Sequence, residues 1–165
     1  MILGGGTGWI LDELSSINND ISVDYVEASS KMLTISKNRG IHSFTSLNFI
    51  LGTELVVQNN TYDFILTPFV LDVFPSDELG QMVNRVKKLL SNDGVWCCVD
   101  FNSRDRSFKA RVLSFSMILF FRMVSGLKTT KVLDYFGSIK YAGMIEVNST
   151  FFYGKFIRAS LFKRK

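Results

Sequence analysis

Only two cysteines, two prolines and one histidine occur among the 165 residues, and each scarcity removes a class of protein. The cysteines, Cys97 and Cys98, are adjacent in an apolar run that reads as a strand. Neighbours on a strand point to opposite faces, so no bridge joins them and reduced thiols are expected. With His42 the single histidine, no zinc ligand set can be assembled on spacing, and no metal site is expected. Long hydrophobic runs are also missing. The most apolar stretch, Val112 to Phe121, is closed off by Arg111 and Arg122 after ten residues, against about 18 or more needed to cross a bilayer. A core or interface helix is the reading there, and a soluble, cytoplasmic protein is expected. Met1 is followed almost at once by glycines, which leaves no room for a secretory leader ahead of the first strand. There is no internal repeat and no low-complexity segment.

What is present describes one folded domain over residues 1–165. Hydrophobic residues make up 47% of the chain and phenylalanine alone contributes 15 residues, enough to build a core. Charge is divided unevenly. Residues 1–80 hold three Lys or Arg against ten Asp or Glu, and residues 81–165 hold 16 against five. A basic half can mark a surface for anionic partners, or simply a solvated face ending in Lys163, Arg164 and Lys165.

Strand and helix patterns alternate, which argues for a largely parallel sheet covered on both faces. Met1 to Leu3 begins a strand that runs into Gly4-Gly5-Gly6-Thr7-Gly8, and a helix follows with Trp9, Ile10 and Leu14 along one stripe. Ile21 to Val26 is the second strand, ending at Glu27. Ser29 or Ser30 caps a helix that stops near Asn38 and Gly40. Leu47 to Leu51 and Tyr62 to Leu66 are further strands, the first preceded by a loop around His42. Ser76, with Asp77 and Glu78 behind it, opens a helix to about Leu90. Asn92-Asp93-Gly94 reads as a turn before a buried strand, Val95 to Phe101. Residues 106–125 suggest one long helix and Val132 to Tyr141 a shorter one. Met144 to Phe152 and Lys155 to Phe162 flank Tyr153-Gly154 as a hairpin.

The glycine cluster lies between a strand and a helix, where missing side chains let backbone approach a ligand. Its spacing is G-x-G-x-G. A dinucleotide fingerprint would place a third glycine where Trp9 stands, and a nucleotide-hydrolase loop would need a lysine that does not occur before Lys31. Neither phosphate-binding pattern is met. Glu27 ends the second strand 19 residues beyond Gly8, and a carboxylate there can accept hydrogen bonds from both hydroxyls of a ribose. Turn and carboxylate together favour a nucleoside-containing cofactor.

Beyond these features the chain resembles the class I S-adenosylmethionine-dependent methyltransferases in order along nearly its whole length. Ile2-Leu3-Gly4-Gly5-Gly6-Thr7-Gly8 resembles their first motif. Val23-Asp24-Tyr25-Val26-Glu27-Ala28 through Leu33 is similar to their second strand and helix start. Asn48 to Glu54 resembles the third strand and its loop, Tyr62 to Asp72 the fourth strand and active-site end, and Leu89 to Trp96 the helix, turn and fifth strand. The resemblance implies a doubly wound α/β fold with a mostly parallel seven-stranded sheet, helices on both faces and an antiparallel C-terminal hairpin. S-adenosylmethionine would be the cofactor and S-adenosylhomocysteine the product.

By that resemblance Gly4, Gly6 and Gly8, with Gly5 and Thr7 in the same loop, would line the cofactor's methionine portion. Glu27 would hold the ribose, Ala28 and Met32 would pack near the adenine, and Thr53 and Glu54 would approach its amino group. Thr67, Pro68 and Phe69 would lie beside the methyl group and substrate. Many members carry an acidic residue where this chain has Ile2, and Asp where it has Thr53. Helices that usually precede the first strand as a lid are absent from this sequence. Methyl transfer is an in-line displacement driven by alignment and desolvation, needing a base only for a protonated acceptor. Asp72, just beyond the fourth strand, is the candidate base or acceptor contact, ahead of Tyr135 and Tyr153.

Thr67-Pro68-Phe69 stands where amino-group methyltransferases of nucleic acid or glutamine carry Asn/Asp-Pro-Pro-aromatic, which disfavours a nucleobase acceptor. The aromatic-rich stretch from Phe108 to Met123 suits an apolar small molecule or a homodimer interface. A small-molecule acceptor is preferred. Two alternatives stay open: a non-catalytic or partner-dependent binding module of the same fold, and an RNA methyltransferase using the basic half.

Overall fold

The computed structural model describes residues 1–17, 20–40, 44–57, 61–102 and 133–165. Seven strands form one sheet in the order β3-β2-β1-β4-β5-β7-β6. They are β1 (Ile2–Leu3), β2 (Ser22–Glu27), β3 (Ser46–Leu51), β4 (Tyr62–Pro68), β5 (Leu90–Phe101), β6 (Met144–Phe152) and β7 (Ile157–Arg164). The pairings among β1 to β5 are parallel, and β7 runs antiparallel to both β5 and β6. Among the described residues four α-helices accompany them: α1 (Trp9–Ile17), α2 (Ser30–Lys37), α3 (Ser76–Leu89) and α4 (Tyr135–Tyr141).

Strand alternation divides the core into two layers, one on each face of the sheet. On β1, Ile2 joins Leu11 of α1 and Leu33 of α2, while Leu3 joins Leu79, Met82, Val83 and Val86 of α3 and Tyr135, Phe136 and Ile139 of α4. On β4, Leu66 and Ile65 divide the same way. Cys97 and Cys98 follow suit on β5: Cys98 is buried on the α3 side, Cys97 packs on the other, and both are free thiols. Burial pushes both thiols up from their ordinary value, which keeps them protonated.

Local chemistry explains the element ends. Ser29 caps α2, its hydroxyl accepting from the Met32 N–H at 3.4 Å. Asp134 caps α4 through the Gly137 N–H at 3.0 Å. At the C-terminus of α3, where the last carbonyls have no helical partner, Arg164 donates to Lys87 O at 2.6 Å and Leu90 O at 2.5 Å. Arg164 is therefore built into the packing of α3, while Lys163 and Lys165 stay exposed.

Three readings shift. Trp9 does not lie on the buried stripe of α1: it is 69% exposed, and Leu11 takes the core position. Asn92-Asp93-Gly94 does not end the helix with a separate turn. The chain passes from α3 directly into β5, and the register jumps from Tyr62↔Leu90 to Phe64↔Val95, so the extra residues are absorbed as a bulge. β7 begins at Ile157, because Tyr153, Gly154 and Lys155 all have positive φ and form the turn. The expected helix over residues 106–125 and the loop at His42 lie outside the described residues.

Candidate functional site

The strand order reverses between β1 and β4, and in a doubly wound sheet that switch opens a crevice beyond the carboxyl ends of the strands. A cavity of about 610 Å3 lies there, between the turn after β1, the ends of β2 and β3, and the chain leaving β4.

The floor is the glycine turn. Gly4 N donates to Val26 O at 2.8 Å, tying the turn to β2. Gly4 and Gly6 have φ of 71° and 63°, values that cost a residue with a Cβ about 1–2 kcal/mol. The turn's glycines differ in what they avoid. A Cβ on Gly5 would strike the Tyr25 ring at 2.4 Å, and one on Gly8 would strike Ser36 at 2.8 Å. Those two allow close packing against β2 and α2. A Cβ on Gly6 would meet only Met32 Sδ at 3.9 Å, so the space above Gly6 is open. Tyr25 braces this loop by donating its hydroxyl to Gly6 O at 2.9 Å. Burial and the charge of Glu27 lift that hydroxyl to about 12, which keeps it a donor.

Glu27 faces the turn from the end of β2. Its Oε2 accepts from Gly6 N at 2.9 Å and its Oε1 from Ser29 N at 2.8 Å. A carboxylate offers about four lone-pair sites, so each oxygen keeps acceptor capacity after its backbone bond. Gly52 N donates to Glu27 O at 2.9 Å and carries the loop with Thr53 and Glu54 alongside.

The far wall follows β4. Phe69 has φ 53°, a left-handed conformation for a non-glycine residue. It is held by its N–H donating to Val99 O at 2.8 Å and by its ring lying 5.0 Å from that of Phe101. Val70, Val73 and Phe74 continue the wall along a 3-10 turn, Leu71–Val73. Beneath it, the fully buried Asp100 accepts from Leu71 N at 3.0 Å and from Phe101 N at 2.8 Å. Asp100 and Asp72 are both pushed up from the usual carboxylate range by burial, Asp100 well above it and with the charge of Asp72 adding to the rise, Asp72 to about 6.

Of the residues singled out in the sequence, the cavity brings together Gly4, Gly5, Gly6, Thr7, Glu27, Ala28, Met32, Thr53, Glu54, Pro68 and Phe69. Gly8 lies outside its lining, under the packing of α1 on α2. Thr67 is fully buried and accepts from Trp96 Nε1 at 2.9 Å. Asp72 is not part of the lining; it lies within electrostatic reach of Asp100. Tyr135 is buried in the α4 core, and Tyr153 is in the hairpin turn. Sequence reasoning missed Leu3, Trp9, Gly52, Val70, Val73 and Phe74. Only Gly52, a glycine directly after a strand, carried a readable signal.

The switch-point crevice, the glycine turn and the carboxylate opposite it define a doubly wound domain arranged for a nucleoside-bearing ligand. The sequence matches a family profile described as a methyltransferase domain over residues 1–94. The chain belongs to that family: it is a methyltransferase of the class I fold, and the family's methyl donor is S-adenosylmethionine.

A comparison with curated proteins found no match. Among solved structures, a TehB-like S-adenosylmethionine-dependent methyltransferase from Corynebacterium glutamicum is 16% identical, with 99% of this chain and 79% of that one covered and a TM-score of 0.63. Magnesium protoporphyrin IX methyltransferase from Synechocystis PCC 6803, with bound S-adenosylhomocysteine, is 15% identical over 99% and 73%, with a TM-score of 0.74. Mitomycin 7-O-methyltransferase is 14% identical over 99% and 48%, with a TM-score of 0.78. At these identities the likeness is one of fold. The chain spans less than half the length of the mitomycin enzyme.

Proposed function

We propose that this chain binds S-adenosylmethionine in the switch-point cavity and transfers its methyl group to a small-molecule acceptor. The observation that carries the reading is the pairing of an open space above Gly6 with a Glu27 carboxylate that keeps acceptor capacity on both oxygens. When bound, the cofactor would supply an electrophilic methyl group, its sulfur keeping the electron pair of the bond given up as the acceptor's lone pair takes the carbon and any acceptor proton passes to water.

The protein's part is placement. Glu27 takes the ribose hydroxyls, and the turn Gly4 to Thr7 takes the methionine portion. Ala28 and Met32 flank the adenine, with Thr53 and Glu54 beside its edge. Pro68 and Phe69 stand at the methyl end and exclude water there. Asp72 we assign to support of that wall, because Val73 and Phe74 line the cavity and Asp72 does not.

The small-molecule reading is favoured over an RNA acceptor by what the basic residues are doing. Of the nine Lys and Arg among the described residues after position 80, five are spent on internal partners. Arg85 donates to Glu54 O, Lys87 to Ala142 O, and Arg164 to the end of α3. Arg158 and Lys140 both meet Glu146.

Titration with S-adenosylhomocysteine, with NAD as the control ligand, tests the reading. Micromolar binding of the first alone is expected. Hydrogen bonds to a charged group contribute about 1.5–3 kcal/mol, so Glu27→Ala should weaken binding at least tenfold. Equal binding of NAD, or an unchanged affinity in the variant, would overturn the site.

A further inference from the structure

Charge divides the cavity in two. Its carboxylates, Glu27 and Glu54, follow β2 and β3, whereas the lining along and after β4, Pro68, Phe69, Val70, Val73 and Phe74, carries no charge; the Arg39 guanidinium over the Trp9 ring at 4.6 Å is engaged by Asp12 at 3.0 Å. None of the five side chains along and after β4 would neutralise an acid, a phosphate or an amine.

Phe69 is the unusual member. The residue is 40% exposed although its backbone is strained, a combination that neither hydration nor local conformation favours. The ring is also fixed from behind. It lies 5.0 Å from Phe101, which lies 5.2 Å from Phe156, a buried residue on the approach to β7. Phe69 also lines the cavity. A flexible aliphatic chain needs an apolar wall of any shape, but a flat partner gains specifically from a rigid ring held ready for offset stacking.

We propose that the methyl acceptor is a planar aromatic molecule without a charged substituent, and that its ring stacks on Phe69. This rests on the assignment of the cavity to S-adenosylmethionine.

The test uses protein saturated with S-adenosylhomocysteine and three probes: 2-naphthol, 2-naphthoate (the same rings with a negative charge) and cyclohexanol (a hydroxyl without an aromatic ring). 2-Naphthol should bind at least tenfold more tightly than either of the others. Phe69→Leu keeps an apolar side chain at the strained position and should weaken 2-naphthol by roughly 5- to 10-fold, the scale of an aromatic pair. Phe69→Trp should restore 2-naphthol binding, and both variants should keep the parent's circular dichroism. Equal binding of 2-naphthoate or cyclohexanol, or indifference of 2-naphthol to Phe69→Leu, would overturn the acceptor class while leaving the cofactor site intact. Failure of S-adenosylhomocysteine itself to bind would remove both readings.

Discussion

Four glycines sit in five positions of the turn after β1, yet they are not equivalent. At Gly5 a methyl group would collide with the Tyr25 ring at 2.4 Å, and the hydroxyl of that ring holds the loop through Gly6 O. Gly5→Ala should therefore loosen the fold itself. At Gly6 a methyl group meets no protein atom nearer than 3.9 Å, so Gly6→Ala bears only the left-handed backbone penalty of about 1–2 kcal/mol. It nevertheless fills space that the bound cofactor would need. Gly6→Ala should stay folded by circular dichroism while its affinity for S-adenosylhomocysteine falls by about tenfold or more, equivalent to ~1.4 kcal/mol. A Gly6→Ala protein that binds as tightly as the parent would mean that no ligand passes over this turn. The glycines and Glu27 were readable because their meaning is local: a strand end, a tight turn and a carboxylate on the next strand. The left-handed Phe69 was not, because its conformation is imposed by Val99 and Phe101 on β5, some thirty residues away in sequence.

Elements show the same contrast between local and distant causes. The ranges of β2, β3, β4 and α2 follow from apolar runs, caps and turn residues, and so does the closing hairpin. On α1 the expected Ile10 and Leu14 do pack on the core, but a helix of nine residues gives too few repeats to tell that Leu11 and not Trp9 completes the stripe. The 3-10 turn Leu71–Val73 has no sequence signature at all. It exists because Asp100, rising from β5, gathers the N–H of Leu71 beside that of Phe101. This turn carries a pH dependence. Burial lifts Asp72 to about 6 from an ordinary 3.8, so the folded chain holds that proton more tightly than the unfolded chain does. The stabilisation it gives is whole below pH 3.8 and is lost as pH rises through about 6. Asp72→Asn keeps the shape and removes this proton site, and it also takes away the charge that helps to raise Asp100. Its melting temperature should fall less than that of the parent between pH 4 and 7, and at pH 7 it should be the more stable of the two. Parallel pH profiles for the two proteins would show that the turn does not hold this proton.

At the scale of the molecule, the site is a seam. The cavity is closed by the β1 turn, the end of β2, the loop after β3 and the wall after β4, and those segments meet where the sheet order switches. Among them β1 is only two residues long and pairs with β4 through the single register Ile2↔Leu66. A ligand across this seam adds contacts between segments that the sheet itself joins weakly, and it binds only where they are assembled. Cofactor occupancy should therefore appear as stability of the whole domain, not of one loop. For a ligand that binds only the folded state, a concentration of 100 times Kd adds about 2.7 kcal/mol. For a domain of this size that is an upward shift of roughly 5–10 °C in melting temperature. S-adenosylhomocysteine should produce a shift that rises with the logarithm of its concentration, and Glu27→Ala should move the same curve to higher concentration without changing its slope. Should the shift level off at a fraction of this size while binding is saturated, the unfolding unit would be smaller than the domain. The β1 seam would then open independently of the β5-β7-β6 half, and the cofactor would stabilise only the half that holds Glu27.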